Sequence, residues 1–401
     1  MRFKSGTGIL NPPQRQIEQG QPRVHCVFIQ TGHYADAYRR FAEGGAETYR
    51  DQRASVQFVA DLLDRSDLTR VTTVSTTGPH QDELAPGLIS EGIARDQDAG
   101  ALLDRLAPDR LILRLPHLPL IKAAKARNIP TLPCFADLFQ QGGPRTRWTN
   151  WQLMRALRNG PFPCVANHSL NASQTLKDVL RLDPSRIVPW DWARLRNVAP
   201  ARTGLHDATA PCAFYAGALS EDKGVGDCLR AVQQTPGLRM TFAGGGDLDH
   251  WRAEAAQMDI ADRVDFIGLI PHDQVRAQMA AHDMVIVPSR HNYPEGLPNV
   301  IYEALASRSP LILSDHPAFR GRLTSGTHCL EFTASNPQAL AQEITRIVTD
   351  QTLFSQLSNA AQAGLEGLYI GMEWNDLVTQ FLDDPQNQTG WVTANSLRQL
   401  S

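Results

Sequence analysis

Apolar runs of strand length recur along this chain, and nearly every one is followed by a stretch with helical spacing. VHCVFIQ (24–30) is the first, followed by RVTTVST, DRLILRL, PTLPCFA, CVANHS and RIVPWDW. Between them lie GALLDRLA, LIKAAKAR, a segment near 150–159 and NASQTLKDVL, all helical in pattern. Strands joined through helices need crossovers, so they run parallel in a sheet covered on both faces. AETYRDQRASVQFVADLL places Tyr49, Val56, Val59 and Leu63 near one helical face, while TGHYADAYRRFAEGG before it reads as a loop ending in Gly44 and Gly45. Residues up to about Pro22 read as a polar extension.

RNVAPARTGLHDATAP (196–211) is polar and broken by Pro and Gly, which marks a domain boundary. A second alternation follows it: CAFYAGAL, a helix from Val225, LRMTFAGG, DLDHWRAEAAQM, RVDFIGLI, QVRAQMAAH, DMVIVPS and PLILS. A strand near HCLEF and the helix NPQALAQEITRIV close the series. A chain of 401 residues suits two cores better than one. The expected division is residues 1–200, residues 201–365, and a tail of residues 366–401. Ligands of open parallel sheets sit at the carboxyl ends of the strands, so two such domains facing across a cleft can enclose a ligand between them.

A formal charge of −3 gives no reason to expect a nucleic-acid partner. MRFKSGTGILNPPQ lacks the apolar run of a secretory signal, and no run elsewhere is long enough to span a bilayer. The six cysteines (26, 134, 164, 212, 228, 329) show no CxxC spacing, and three lie in strand-like segments, so reduced thiols are expected. These features predict a soluble, cytoplasmic protein.

The chemistry concentrates in PSRHNYPEGLPNVIYEALASRSPLIL, residues 288–313. It reads as a strand end, a Gly/Pro/Asn loop, a helix opening at Pro298, and another buried strand. Proline suits the first helical position, and the next amides, Asn299 and Val300, point out of the helix start. Such a terminus attracts a phosphate through its amides and its dipole. Glu295 and Glu303 flank it, eight residues apart. Carboxylates repel phosphate but accept well from sugar hydroxyls, so the ligand expected is both anionic and polyhydroxylated. GALSEDKG (217–224) follows the first strand of the second domain and sets Lys223 where it can meet a diphosphate oxygen. In GGGDLDHW (244–251), Asp247 reads as the N-cap of the next helix rather than as a metal ligand, and no metal site is expected. From Leu138 to Lys177 there is no carboxylate, yet Arg145, Arg147, Arg155, Arg158 and Lys177 occur with Trp148 and Trp151. That stretch reads either as a contact with an anionic membrane or as a helix whose tryptophans fill the core or line a cleft.

EGLPNVIYEALA, with DMVIVPS before it and PLILSDHPAFRGRL after it, resembles the E-x7-E motif of the retaining family-4 glycosyltransferases. That resemblance implies the GT-B fold, two Rossmann-like domains facing across a cleft. EWNDLVTQFLDD then resembles the terminal helix that crosses back onto the first domain. It also implies roles. Glu303 would hold the ribose diol of a UDP- or GDP-linked sugar, and Glu295 the transferred sugar. Gly296, Leu297, Asn299 and Val300 would line the phosphates, Ile270 and its turn the base, and Gly44–Gly45 the donor phosphate and the acceptor. No cofactor or divalent metal is implied.

Two positions depart from the family's pattern. Ala218 stands where an Arg-x4-Lys pair would place the arginine, so either Arg290, Arg322 or a residue of the first domain is expected to substitute beside Lys223, or the activity is weak. Ala136 stands where many relatives carry a histidine, leaving Asp137, His117 and His168 as candidates to contact sugar or acceptor. In such an enzyme the leaving phosphate takes the acceptor's proton, so no protein base is indispensable. The resemblance thus implies a metal-independent, retaining, hexosyltransferase-type enzyme. Its acceptor would be a saccharide or lipid-linked hydroxyl, reached in the cytoplasm or at the inner membrane face. The alternatives are a non-catalytic sugar-nucleotide or partner-binding protein, or a phosphorylase or epimerase of the same fold.

Overall fold

The computed structural model describes residues 24–94 and 96–400. The polar extension predicted before Pro22 lies outside the described residues. Two compact units divide the chain: one holds the residues through Glu47, Asp51–Ala193 and Ile370 onward, the other Thr48–Arg50 and Arg194–Tyr369.

The first unit is built on an eight-stranded sheet of β1 (Val24–Gln30), β2 (Leu68–Ser75), β3 (His80–Ala85), β4 (Leu88–Gly92), β5 (Arg110–Leu113), β6 (Thr131–Phe135), β7 (Val165–His168) and β8 (Ile187–Trp190). The strand order is β3-β4-β2-β1-β5-β6-β7-β8. All pairs are parallel except β3–β4. Along β1, Cys26 and Phe28 face one core with Tyr38, Phe41 and Val59, while Val27 and Ile29 face another with Leu102, Leu103 and Ile121. Alternate side chains thus bury on opposite faces, as a sheet covered on both sides requires. The helix Trp374–Asp383 belongs to this unit: Trp374, Leu377, Val378 and Phe381 complete the core that holds Phe28 and Phe41.

Three local expectations are corrected here. The presumed loop before Gly44 contains a helix, Tyr34–Ala42, capped by His33 Nδ1 and burying Tyr34, Ala37, Tyr38 and Phe41. Those positions repeat at three- and four-residue intervals, a helical stripe that the flanking glycines obscured. Tyr49 lies ahead of the next helix, Gln52–Asp61, and is exposed rather than on its buried face. The β3–β4 hairpin was not read from the sequence because Gln81, Asp82 and Glu83 make an edge strand polar and break the apolar run.

The second unit carries β9 (Cys212–Ala216), β10 (Arg239–Ala243), β11 (Val264–Gly268), β12 (Met284–Val287), β13 (Leu311–Ser314) and β14 (Leu330–Phe332) in the order β11-β10-β9-β12-β13-β14, all parallel. Counted within the unit this is 3-2-1-4-5-6, the doubly wound dinucleotide-binding order. The winding reverses between β9 and β12, the switch point at whose strand carboxyl ends doubly wound sheets bind their ligands.

Candidate functional site

Both loops at that switch point carry residues singled out in the sequence. After β9 the chain runs through Gly217–Gly224, where the Tyr215 hydroxyl donates to the Ala218 carbonyl at 2.6 Å and the Leu219 amide to the Gly245 carbonyl at 2.8 Å. Gly224 has φ +78°, and a Cβ there would collide with the Pro288 carbonyl. Only glycine lets this turn close against the loop after β12. The two loops are also laced together: the Arg290 amide donates to the Asp222 carbonyl at 2.9 Å, and Asn292 Nδ2 to Asp222 Oδ1 at 2.8 Å. Beneath them lies His316, fully buried, whose Nδ1 accepts from the Ala318 amide while Nε2 meets the Tyr293 carbonyl at 3.1 Å. Burial pushes the His316 pKa down, so the neutral ring can serve as donor and acceptor at once.

Lys223 and Glu295 meet as an ion pair, with only 14% and 8% of their side chains exposed. The Lys223 ammonium also lies 4.6 Å from the centre of the Tyr293 ring. The pair uses one oxygen of Glu295. The other, Oε2, is buried and has no hydrogen-bond partner among the described residues, and Asn299 Oδ1 is in the same condition. A buried acceptor without a donor costs about 1–3 kcal/mol, so two of them beside one helix start make this a candidate place for donors from outside the chain.

That helix is Asn299–Ala306, with Pro298 as its N-cap at φ −69° and ψ 138° and no side-chain cap. Proline therefore stands one position earlier than expected. Its own missing N–H leaves the next two amides, Asn299 and Val300, as the first donors, and neither finds an acceptor among the described residues. Gly296 is half-buried and Leu297 buried in the loop leading to them.

One turn further along, Glu303 is buried and shares a short hydrogen bond with His272 Nε2. His272 starts the helix His272–Ala281, just beyond the turn of Gly268 (φ +72°), exposed Leu269 and half-buried Ile270. The sequence reading missed His272. Its only local signal is a polar ring at the first helical position after a strand, and nothing nearby in the chain points to Glu303.

The two arginines expected to replace the one absent at Ala218 are engaged elsewhere. Arg290 grips Asp227 through Nε and Nη2 at 2.9 and 2.8 Å and reaches Glu221 at 2.5 Å. The hydrogen bonds that Arg290 donates to Asp227 raise its pKa above the usual arginine value. Arg322 donates to the Gly367 and Leu368 carbonyls at the end of helix Gln351–Leu368. Each arginine thus has a structural partner in this unit. Asp227 is 2% exposed and would keep only its longer contact with Arg230 at 3.5 Å, so Arg290→Ala will leave a buried carboxylate poorly paired and destabilise the protein by about 3 kcal/mol in urea unfolding. Lost nucleotide binding at unchanged stability would return Arg290 to the phosphates.

The remaining candidates belong to the first unit. Gly44 and Gly45 close helix Tyr34–Ala42 rather than open one: Gly44 has φ +79°, and a Cβ on Gly45 would collide with Arg40. Asp137 is exposed, its backbone held at both ends by the Asn167 side chain at 3.1 and 2.9 Å. His117 caps helix Leu118–Ala126 through Nδ1, and buried His168 contacts Asp191 at 3.3 Å. Asp247 caps helix Leu248–Gln257 by accepting from the His250 amide at 3.0 Å. Among the described residues no cluster of three or more His, Cys, Asp or Glu could hold a metal ion, and no helix is long and apolar enough to cross a membrane.

With this geometry in place, comparison with known proteins is informative. Residues 202–364 match the family model "Glycosyl transferases group 1". The lipopolysaccharide core biosynthesis glycosyltransferase LpsE of Rhizobium meliloti is 27% identical over 176 residues, 44% of this chain and 50% of that protein. The chain spans half or less of the length of the curated relatives it matches. Among solved structures, sucrose-phosphate synthase from Thermosynechococcus elongatus superposes with a TM-score of 0.66 at 18% identity, covering 92% of this chain and 100% of that one. Anabaena HepE in complex with UDP-glucose gives 0.63 at 14%, covering 93% and 100%. Residues 202–364 thus match the group 1 glycosyltransferases, in a chain whose two α/β units share the GT-B architecture of these structures.

Proposed function

We propose that this protein is a retaining glycosyltransferase that moves a hexosyl group from a nucleoside-diphosphate sugar to an acceptor hydroxyl in glycan synthesis, without a divalent metal. The observation that carries the reading is the uncapped start of helix Asn299–Ala306. Two free amides stand there between the Lys223–Glu295 pair and the Glu303–His272 pair, beside the unpartnered Glu295 Oε2. The diphosphate sits on the Asn299 and Val300 amides, which stabilise its charge as the glycosidic bond breaks. Lys223, held by Glu295, adds a cation at the same place. Glu303 accepts from the ribose diol, and Glu295 Oε2 from a hydroxyl of the transferred sugar. Two carboxylates so used cannot also flank a scissile bond as in a glycosidase. The departing phosphate oxygen takes the acceptor's proton on the face from which it leaves. Asp137, His117 and His168 are then individually dispensable: single substitutions will retain measurable turnover.

The pairing of His272 with Glu303 supports a positioning role. His272→Ala will weaken nucleotide affinity about tenfold, the worth of one misplaced charge-assisted hydrogen bond, while His272→Asn recovers part of the loss in calorimetry. HepE is described in complex with UDP-glucose, so UDP-sugars are the first donors to try. The decisive experiment is a thermal-shift screen against UDP, GDP, ADP and their common sugars, followed by NMR of the product anomer with and without EDTA. An inverted anomer, or turnover abolished by the chelator, would sink the assignment. A second reading, a sugar-nucleotide-binding protein without turnover, is favoured by exposed Ala218 in place of a phosphate-binding arginine. Donor binding with no slow hydrolysis of the sugar nucleotide would establish it.

A further inference from the structure

The helix Pro144–Arg158 in the first unit has a face that the donor site does not explain. Residues 140–149 are exposed throughout, and the helix is anchored only where Leu153, Ala156 and Leu157 are buried. Arg145, Trp148, Trp151, Arg155 and Arg158 follow one another at intervals of three or four residues, so they form a single stripe away from that anchor. Trp148 and Trp151 are 58% and 42% exposed, so of the readings open to them, filling a core is removed. Their rings stack on each other at 4.9 Å with planes 20° apart, and the Arg155 guanidinium lies 5.5 Å from the centre of the Trp151 ring. Arg145 and Arg147 form no ion pair with any described residue. Arg158 donates to the Arg181 carbonyl, which leaves its charge uncompensated. No carboxylate occurs between Leu138 and Lys177 to offset these cations.

We propose that this stripe docks the protein on an anionic lipid surface, with the indoles at headgroup depth and the guanidiniums on lipid phosphates. Charge complementarity selects the occupant. A cationic face free of carboxylates matches a continuous anionic plane, and amphipathic indole rings partition to that boundary. Nucleic acid is the poorer match because base stacking needs open ring faces, and Trp151 is covered by Trp148 and approached by Arg155, which leaves bases only the outer face of Trp148. The inference stands apart from the donor site, and its readout is vesicle binding rather than turnover.

The test is sedimentation of the full chain with phosphatidylcholine vesicles, with and without phosphatidylglycerol. Binding is expected only with phosphatidylglycerol, falling as salt is raised. Arg145→Glu combined with Arg147→Glu should weaken it at least about tenfold, because two cations near the surface are reversed. Trp148→Ala combined with Trp151→Ala should weaken it too and abolish the blue shift of tryptophan emission. All four positions are exposed, so both variants should keep the parent melting temperature and nucleotide affinity. Equal binding to neutral vesicles, no vesicle binding, or binding untouched by both variants would overturn the proposal. So would salt-sensitive capture of a single-stranded oligonucleotide in place of vesicles.

Discussion

Lys223→Met will cut turnover by about 10²–10³-fold, the effect of removing one preorganised donor from a site where negative charge develops. The same change will destabilise the protein by about 3 kcal/mol, because Glu295 is buried and loses its counter-charge. The two effects separate in the double variant Lys223→Met with Glu295→Leu. Replacing both members of a buried pair by apolar groups is often near neutral for stability, so urea unfolding should return toward the parent value. Turnover should stay lost. A double variant that regains activity along with stability would show the pair to be scaffolding, and the diphosphate would need another cation.

Glu303→Ala will weaken UDP or GDP affinity by about 2–4 kcal/mol, one to two charge-assisted hydrogen bonds. In calorimetry that is roughly a thirty- to several-hundred-fold rise in Kd. Glu303 is buried in the second turn of its helix and already engaged by His272, so its orientation is set before any ligand arrives. Glu303→Gln keeps an acceptor in place and should lose less. Equal affinity of parent and Glu303→Ala for both nucleotides would refute the ribose role. The Glu303–His272 contact would then be a core hydrogen bond and nothing more.

How far the site could be read in advance depended on how local each cause was. Pro298, Gly296 and the apolar run after them are short-range signals, and they placed a helix start with free amides at Asn299 and Val300. Gly224 likewise explains its own turn through φ +78°. The partners of Arg290 and Arg322 were hidden for the converse reason. Whether an arginine is free for a phosphate depends on which carboxylates or carbonyls fold against it, and Asp227 and Gly367 lie 63 and 45 residues away. The exposure of Trp148 and Trp151 was out of reach for the same reason. The acid-free composition of residues 138–177 is plain in the chain, but which face of helix Pro144–Arg158 meets the core is set by Leu153, Ala156 and Leu157 packing onto the sheet.

The sequence by itself determined the elements: parallel strands in two runs, crossover helices, and a helix opening flanked by two carboxylates. These follow from side-chain periodicity, from proline's lost N–H and from glycine's freedom at positive φ, all settled within a few residues. Only the tertiary structure decided the partners. Lys223 reaches Glu295, 72 residues on, because β9 and β12 lie side by side in the sheet. His272 reaches Glu303, 31 residues on, because the helices bearing them pack together. Strand order is fixed by how the whole sheet buries its two faces, a long-range condition that no short stretch of chain records.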